Sequence, residues 1–379
     1  MRKTAELPLH GGKAPPWLFN RMVEMAGAIS TLIVRDQGPQ ELLRRLSDPF
    51  WFQAFGCVLG FDWHSSGVTT TVCGALKEAT KKYGGDMGIA VCGGKGATSR
   101  KTPGDIEQAC RKIGADAAPF IYASKLSAKV DNTAIQDGYQ LYHHVFLFVP
   151  GENNWCVVQQ GMNERNRYAR RYHWLAEQMQ DFVIEPHAAI ACDTRENSLN
   201  LVAREGIAHQ QAILRLGREH PDRILKEIRP LLTDKPLPLF DRFESNSAAF
   251  QPDYYLPHRH TLTTANISPD ALKKVLLKTY ERQAPEFEQL LGEPGIGTQA
   301  MRSLSLIAEV VYNAPASHRD PAAYSFAHGG KDGHPYEVNR ELYDANLARL
   351  RETINQAKIG VFDKTKALQS LAEFTERLH

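Results

Sequence analysis

The chain contains, at residues 290–312, the stretch LLGEPGIGTQAMRSLSLIAEVVY. A short helix is predicted over residues 285–291, and the following Gly292-Glu293-Pro294-Gly295-Ile296-Gly297 ends it, because glycine and proline interrupt a helix and permit a tight turn. From Thr298 onward apolar residues recur at helical spacing, which predicts a second helix. The stretch therefore predicts two helices joined by a Gly-Ile-Gly turn.

Such a turn suits a phosphate group. Backbone N–H groups at the start of a helix have no partner within the helix, and the helix dipole favours an anion there. The two glycines have no side chain to block the approach of a phosphate, and Ile296 can point inward between the helices. The residues predicted to contact DNA in this stretch are Gly295, Gly297, Thr298, Gln299 and Arg302.

This segment resembles the helix-hairpin-helix motif of DNA repair proteins, whose hydrophobic-Pro-Gly-hydrophobic-Gly hairpin grips duplex phosphates without reading the base sequence. The resemblance implies that duplex DNA is a partner. An ordinary αα-hairpin with a glycine C-cap explains the same residues without any ligand. Both interpretations stay open at the level of sequence.

Composition sets wide limits on function. The 379 residues predict two or three domains, and a formal net charge of +2 is too small to indicate nucleic acid by itself. No apolar run approaches the roughly 20 residues that span a bilayer, and the N-terminus lacks the apolar core of a signal peptide. The six cysteines form no CxxC pair. We therefore expect reduced thiols, no structural zinc site and a cytoplasmic protein.

An aspartate lies between two segments that predict β-strands, residues 55–61 and 68–72. A strand, Asp62, a Ser-Ser-Gly turn and a second strand form the pattern of a hairpin that places one carboxylate at a sheet edge. Ribonuclease-H-like nucleases use an aspartate in a similar place to hold a divalent metal, and His64 lies beside it. Ordinary turn chemistry also explains an aspartate before Ser-Ser-Gly.

Two more aspartates, Asp131 and Asp137, precede a predicted hairpin of buried strands at residues 141–149 and 155–160. Carboxylates hold Mg²⁺ or Mn²⁺, which activates water and stabilises the charge that develops on a phosphodiester, and Lys129 can assist. We therefore predict metal ligation by Asp62, Asp131 and Asp137, with Lys129 or His64 acting on the phosphate. A helix cap and an Asp-Gly turn are the alternative roles of Asp131 and Asp137.

Three basic segments are candidates for further DNA contacts. The glycine-rich loop at residues 92–101 offers backbone N–H groups together with Lys95 and Arg100, although a mobile solvated loop is equally compatible. Residues 159–174 interleave arginines, among them Arg170 and Arg171, with aromatic residues that can stack on bases; a solvated basic loop or helix is the alternative. A loop near residue 330 adds Lys331.

Several strings identify a family. They are LSDPFWFQAFGCVLGFDWHSSGVTTTV, GGKGATSRKTP, SAKVDNTAIQDGYQLYHH, VVQQGMN, ARRYHW and YSFAHGGKDGHPY. Together they closely resemble the archaeal and bacterial family catalogued as domain of unknown function 763, and the resemblance covers most of the chain. This family name implies no mechanism, so the functional argument depends on the hairpin and the carboxylates.

The sequence as a whole predicts an α+β protein. Residues 1–235 are expected to form an α/β catalytic domain, with a ribonuclease-H-like fold as one candidate, and residues 236–379 an all-helical domain that contains the hairpin. The leading hypothesis is a metal-dependent nuclease in DNA repair that acts on duplexes or on single-strand/duplex junctions; a homo-oligomer is compatible with it. The alternatives are a DNA glycosylase that uses Asp320, and a non-catalytic DNA-binding or scaffold protein.

Overall fold

An antiparallel β-sheet lies at the centre of the protein, in a computed structural model that describes residues 14–61, 66–165, 168–192, 198–228, 269–322 and 340–378. Its five strands have the order β1-β3-β4-β5-β6 and all pair antiparallel. They are β1 (Ala90–Lys95), β3 (Gln140–Phe148), β4 (Trp155–Asn163), β5 (Tyr168–Leu175) and β6 (Ala189–Ala191). The short strands β2 (Ile135–Gln136) and β7 (Leu199–Asn200) form a separate pair.

Four N-terminal helices cover one face of the sheet: α1 (Pro16–Gln37), α2 (Pro39–Ser47), α3 (Pro49–Val58) and α4 (Gly67–Tyr83). Their apolar residues share a core with Val145 and Leu147 of β3 and with Val158 of β4. In the sequence, apolar residues at helical spacing predict a helix over residues 17–34 and a further short helix is predicted over residues 38–46; both are confirmed, as α1 and α2. Helices α12 (Arg340–Gln356) and α13 (Val361–Leu378) pack into the same core.

The strands predicted at residues 55–61 and 68–72 are wrong, because these residues form the end of α3 and the start of α4. All ten residues of α3 are buried, so the helix has no polar face to reveal its period. Asp48 fixes its start by accepting hydrogen bonds from the N–H groups of Phe50 and Trp51. Tertiary burial thus overrides the strand propensity of the Thr/Val-rich segment.

The remaining described helices build the second core, which includes the opposite face of the sheet through Phe146 and Phe148 of β3. These helices are α5 (Thr102–Arg111), α6 (Ala118–Lys129), α7 (Ile207–Arg218), α8 (Pro221–Ile228), α9 (Pro269–Arg282), α10 (Phe287–Gly292) and α11 (Thr298–Tyr312). A π-helical turn, Val130–Ala134, follows α6. The fold is therefore α+β, as the sequence predicts, with an antiparallel sheet instead of an α/β arrangement.

Elements on both sides of the predicted domain boundary contribute to each core. Leu276, Leu290 and Met301, which follow residue 235, lie in one core with Phe146 and Trp174 of the sheet. The boundary itself lies outside the described residues, and the division into domains stays a prediction.

For the segment at residues 159–174, the alternative of a solvated basic loop or helix is wrong in its described part. It forms the end of β4 and most of β5, and Arg170 and Arg171 are fully buried. Successive residues of a strand point to opposite faces, so the two arginines enter the two different cores.

All six cysteines are free thiols and all are buried. Among the helices in the described ranges, none combines the length and the apolar composition that a bilayer crossing requires.

Helices α1 and α4 approach closely at Gly27, where an added Cβ would lie 2.1 Å from the Tyr83 ring. We predict that Gly27→Ala destabilises the fold by about 1–3 kcal/mol through overpacking, although alanine is the better helix former. Gly74→Ala in α4 is the matched control, because its Cβ would meet Phe19 at an ordinary 3.7 Å. Urea denaturation measures both variants, and a Gly27→Ala protein as stable as Gly74→Ala would contradict the packing described.

Candidate functional site

The Gly-Ile-Gly turn between α10 and α11 is built as its sequence predicts. Gly295 has a positive φ of 85°, a conformation that favours glycine. Ile296 is completely buried between the helices. A Cβ on Gly297 would meet no atom within 4 Å, so the backbone there is open to a ligand. The turn thus exposes its glycines while its apolar residue holds the two helices together.

Two lysines from other helices lie near this turn. An added Cβ on Gly295 would lie 2.3 Å from Nζ of Lys278, so this ammonium group from α9 lies directly against the turn. Burial lowers the pKa of Lys129, at the end of α6, and the positive charge of Lys278 lowers it further. Neither ammonium pairs with a carboxylate of the described residues. The uncompensated positive charge favours an anionic ligand.

The residues predicted around the turn divide into two groups. Gln299 is exposed and available to a ligand. Thr298 instead donates its hydroxyl hydrogen to the carbonyl of Asn132, 3.0 Å away. Arg302 is buried and donates from Nε to Oε1 of Gln136 at 2.6 Å, and burial lowers its pKa to about 10. The predicted phosphate contact of Arg302 is therefore corrected: its side chain fixes α11 against β2.

Asp131 lies at the centre of a buried network and is itself completely buried. It accepts hydrogen bonds from Nε2 of Gln159 at 2.6 Å and from Nε1 of Trp174 at 2.9 Å, and it pairs with His187. Its carboxylate oxygens thus have partners from β4, β5 and the segment that follows β5. This environment indicates a structural carboxylate.

The network also determines the protonation of His144. Because an ionised Asp131 can only accept, the Gln159 amide presents its NH₂ to Asp131 and its oxygen to Nδ1 of His144, 2.9 Å away. Nδ1 therefore carries the hydrogen, and Nε2 accepts from the hydroxyl of Ser124 at 2.8 Å. Burial lowers the pKa of His144 and keeps it neutral. A serine and a neutral histidine are thereby oriented as in a nucleophilic pair, but Ser124 is itself buried.

Asp137 and Asp320 share one buried arginine. Nη1 of Arg170 donates to Oδ2 of Asp137 at 2.8 Å and to Oδ1 of Asp320 at 3.0 Å, and Nη2 donates to Oδ2 of Asp320 at 2.8 Å. Asp137 also accepts from the hydroxyl of Tyr172 and from the backbone N–H of Tyr139. Arg170 thus compensates both carboxylates and joins β5 to the segment that follows α11.

These surroundings do not fit Mg²⁺ or Mn²⁺ at Asp131 or Asp137. A divalent metal requires free carboxylate oxygens, whereas Asp137 faces a guanidinium and Asp131 accepts from three side chains. Within the part of the chain that the structure describes, no three His, Cys, Asp or Glu side chains form a group that could hold a metal. Asp62, His64 and Lys331 lie outside the described residues.

The other predicted DNA contacts are dispersed. The segment predicted as a glycine-rich loop is instead the end of β1 with Lys95 and a 3-10 helix, Gly96–Lys101, with Arg100, and both side chains are exposed. Arg171 lies against the N-terminal helices, where it donates to Gln53 at 2.9 Å. The prediction that Arg170 and Arg171 contact DNA is therefore corrected, because both side chains are enclosed by protein.

Two residues that the structure brings to these places, Lys278 and His187, are not identified by any pattern in the sequence. Lys278 lies on the exposed side of an amphipathic helix, and only the approach of α9 to the turn makes it significant. His187 lies in a segment without regular structure, and no local pattern connects it with Asp131.

Comparison with known proteins assigns a family. A family profile described as "Protein of unknown function (DUF763)" matches residues 3–338. The chain belongs to the DUF763 family. No curated protein and no solved structure matches the chain. The DUF763 assignment confirms the resemblance seen in the sequence, and it names no activity, so function must be inferred from the geometry above.

The buried network predicts a specific weakness at Gln159. We expect Gln159→Leu to destabilise the fold by about 2–4 kcal/mol, because it removes one donor from buried Asp131 and leaves Nδ1–H of His144 without its acceptor. The exposed Gln178→Leu is the control and should change stability by less than about 0.5 kcal/mol. Chemical denaturation compares the two, and equal stabilities would show that the network does not support the sheet.

Proposed function

We propose that this DUF763 protein binds the phosphate backbone of duplex DNA through the surface formed by Lys129, Lys278, the exposed glycines of the turn and Gln299. We call this the hairpin surface. The proposal includes that α10, the turn and α11 act as a helix-hairpin-helix motif. Binding is to the backbone and independent of base sequence, since the turn offers mainly backbone N–H groups and the ammonium groups of Lys129 and Lys278, which contact phosphates.

The observation that carries this proposal is the convergence of two uncompensated ammonium groups on an open glycine turn. Burial lowers the pKa of Lys129, and repulsion by the like charge of Lys278 lowers it as well. A phosphate placed between them would remove this repulsion, and DNA binding releases counterions at the same time. The buried Ile296 supports the proposal, because it keeps the turn rigid and reduces the entropy lost on binding.

We predict that Lys129→Ala and Lys278→Ala each weaken duplex binding and each reduce the slope of log affinity against log salt by about 1. The effect should be the same on unrelated DNA sequences. Fluorescence anisotropy over a range of salt concentrations measures both quantities.

Lys273→Ala is the matched control for this experiment, because Lys273 lies on the same helix α9 and pairs with Asp222 at 3.6 Å. Its affinity and salt slope should equal those of the unchanged protein. If Lys273→Ala and Lys278→Ala were indistinguishable, binding would not occur at the hairpin surface.

The nuclease activity expected from the sequence stays a prediction, and so does the glycosylase alternative. Asp131 and Asp137 are engaged by protein donors, and a glycosylase carboxylate at position 320 would have to leave Arg170. DNA binding does not depend on either activity. The hairpin surface has every feature that a non-catalytic DNA-binding protein requires.

A cleavage assay decides between these activities. Labelled single-stranded, duplex, flapped and damaged DNA is incubated with the protein in Mg²⁺, Mn²⁺ or EDTA. Metal-dependent cleavage that Asp62→Asn abolishes would support the nuclease, whereas base release that persists in EDTA and requires Asp320 would support the glycosylase. Given the geometry, we expect the protein to bind DNA, and we expect that Asp131 and Asp137 do not cleave the strand. If the protein cleaved DNA with a metal and a folded Asp137→Asn variant did not, this expectation would be contradicted.

A further inference from the structure

Four polar side chains form a transverse row across one face of the sheet, far from the buried carboxylates on its other face. The register pairs Lys95 of β1 with His143 of β3, His143 with Gln160 of β4, and Gln160 with Arg171 of β5. Directly paired residues of antiparallel strands point to the same face, and Val145, which follows His143 by two residues, faces the N-terminal helices. We call these four residues the polar row.

His143 is the unexplained member of the polar row. Its side chain is 1% exposed, yet neither ring nitrogen has a hydrogen-bond partner. Burial, together with the neighbouring His144 and Lys95, lowers the pKa of His143 to about 3, so the ring is neutral. A neutral imidazole has one donor and one acceptor, and leaving both unpaired in the interior is costly. Such a group indicates a missing ligand.

The surroundings of His143 are positively charged. Lys95 is the cation beside His143, whereas Arg171 lies two strands along the row and donates to Gln53 and Thr69. Helix α4 begins over the row, because Gln160 donates to the carbonyl of Ser66 at 2.9 Å and accepts from Thr69. The start of a helix carries partial positive charge. Asp105, which accepts from the N–H of Gly93 in β1, is already paired with Lys77 at 2.6 Å.

The row reaches solvent at its Lys95 end. Lys95 is exposed, and its ammonium lies 5.7 Å from the centre of the Tyr142 ring. Tyr142 in turn contacts Gln160 through its hydroxyl. The adjoining Gly96 has a φ of 58° and open space at its Cβ position, so a ligand can approach the backbone there. The solvent end of the row therefore holds a cation, a phenol and exposed backbone.

We propose that the polar row binds a phosphate group, carried either by a small molecule or by the end of a nucleic acid strand. The imidazole N–H of His143 and the ammonium of Lys95 donate to the phosphate oxygens, and the α4 dipole and Arg171 add favourable potential. A phosphate suits this place better than a carboxylate, because its greater charge and its several acceptor oxygens match several cations and donors. This site is separate from the hairpin surface.

Calorimetric titration with inorganic phosphate, against chloride at equal ionic strength, tests the proposal directly. The Lys129→Ala, Lys278→Ala double variant is used beside the unchanged protein, so that phosphate binding at the hairpin surface does not contribute. We expect the double variant to bind phosphate at the polar row. Lys95→Met should weaken this binding by about tenfold or more, which is the loss of one charge-assisted hydrogen bond.

Lys101→Met is the matched control, because Lys101 is an exposed lysine six residues along the same loop and outside the row. It should bind phosphate as the unchanged protein does. His143→Phe should abolish phosphate binding. If the His143→Phe protein does not fold, Lys95→Met still tests the proposal, because Lys95 is exposed and its replacement does not disturb the core. Absence of phosphate binding in the double variant, or equal loss in Lys95→Met and Lys101→Met, would overturn the proposal.

A second titration identifies the source of the phosphate. Short oligonucleotides with and without a 5′-phosphate are compared on the double variant. Tighter binding of the phosphorylated strand, sensitive to Lys95→Met, would assign the row to a strand end. Binding of inorganic phosphate alone would assign it to a small phosphorylated molecule. Both results support a phosphate site, and neither depends on whether the hairpin surface binds DNA.

Discussion

The arrangement of the C-terminal half depends on one fully buried arginine. Arg170 receives its charge compensation from Asp137, beside the small β2–β7 pair, and from Asp320, which follows α11. Removal of one partner of a buried ion pair costs about 3–5 kcal/mol, since the other charge stays desolvated. Ser317 and Arg319 continue the attachment by bonding to Glu205. The segment that follows the hairpin is thus fixed to the sheet, and the hairpin presents its turn in a defined direction.

This arrangement separates the structural charges from those available to a ligand. Arg170 compensates Asp137 and Asp320 inside the protein, and Asp131 accepts hydrogen bonds from Gln159 and Trp174. Lys278, by contrast, lies against the turn, its charge acts on Lys129, and neither ammonium pairs with a carboxylate of the described residues. Buried charges require partners, and a surface that leaves cations uncompensated selects anions. Buried polar atoms also require partners. In the polar row, the atoms without a partner are the two ring nitrogens of a neutral histidine. Phosphate binding is therefore proposed at two separate places, the hairpin surface and the polar row.

The sequence predicts those elements whose pattern is local. Helix α1, helix α2, the β3–β4 hairpin and the α10–α11 turn follow from periodicity and from glycine and proline positions. Helix α3 does not, because all its residues are buried and no polar face marks its period. Arg170 and Arg171 have the composition of a solvated segment, and only their distant partners Asp320 and Gln53 explain their burial. Lys278 joins the turn through tertiary packing, which no spacing within the chain reveals.

The central claim is that the turn between α10 and α11 contacts the DNA backbone. Backbone amide hydrogen exchange, measured with and without a duplex of arbitrary sequence, tests it most directly. When DNA is bound, we expect slower amide exchange at residues 295–300 and at the end of α6, and unchanged exchange rates in the buried strands. Unaltered exchange at the turn in a complex that forms elsewhere on the protein would contradict it.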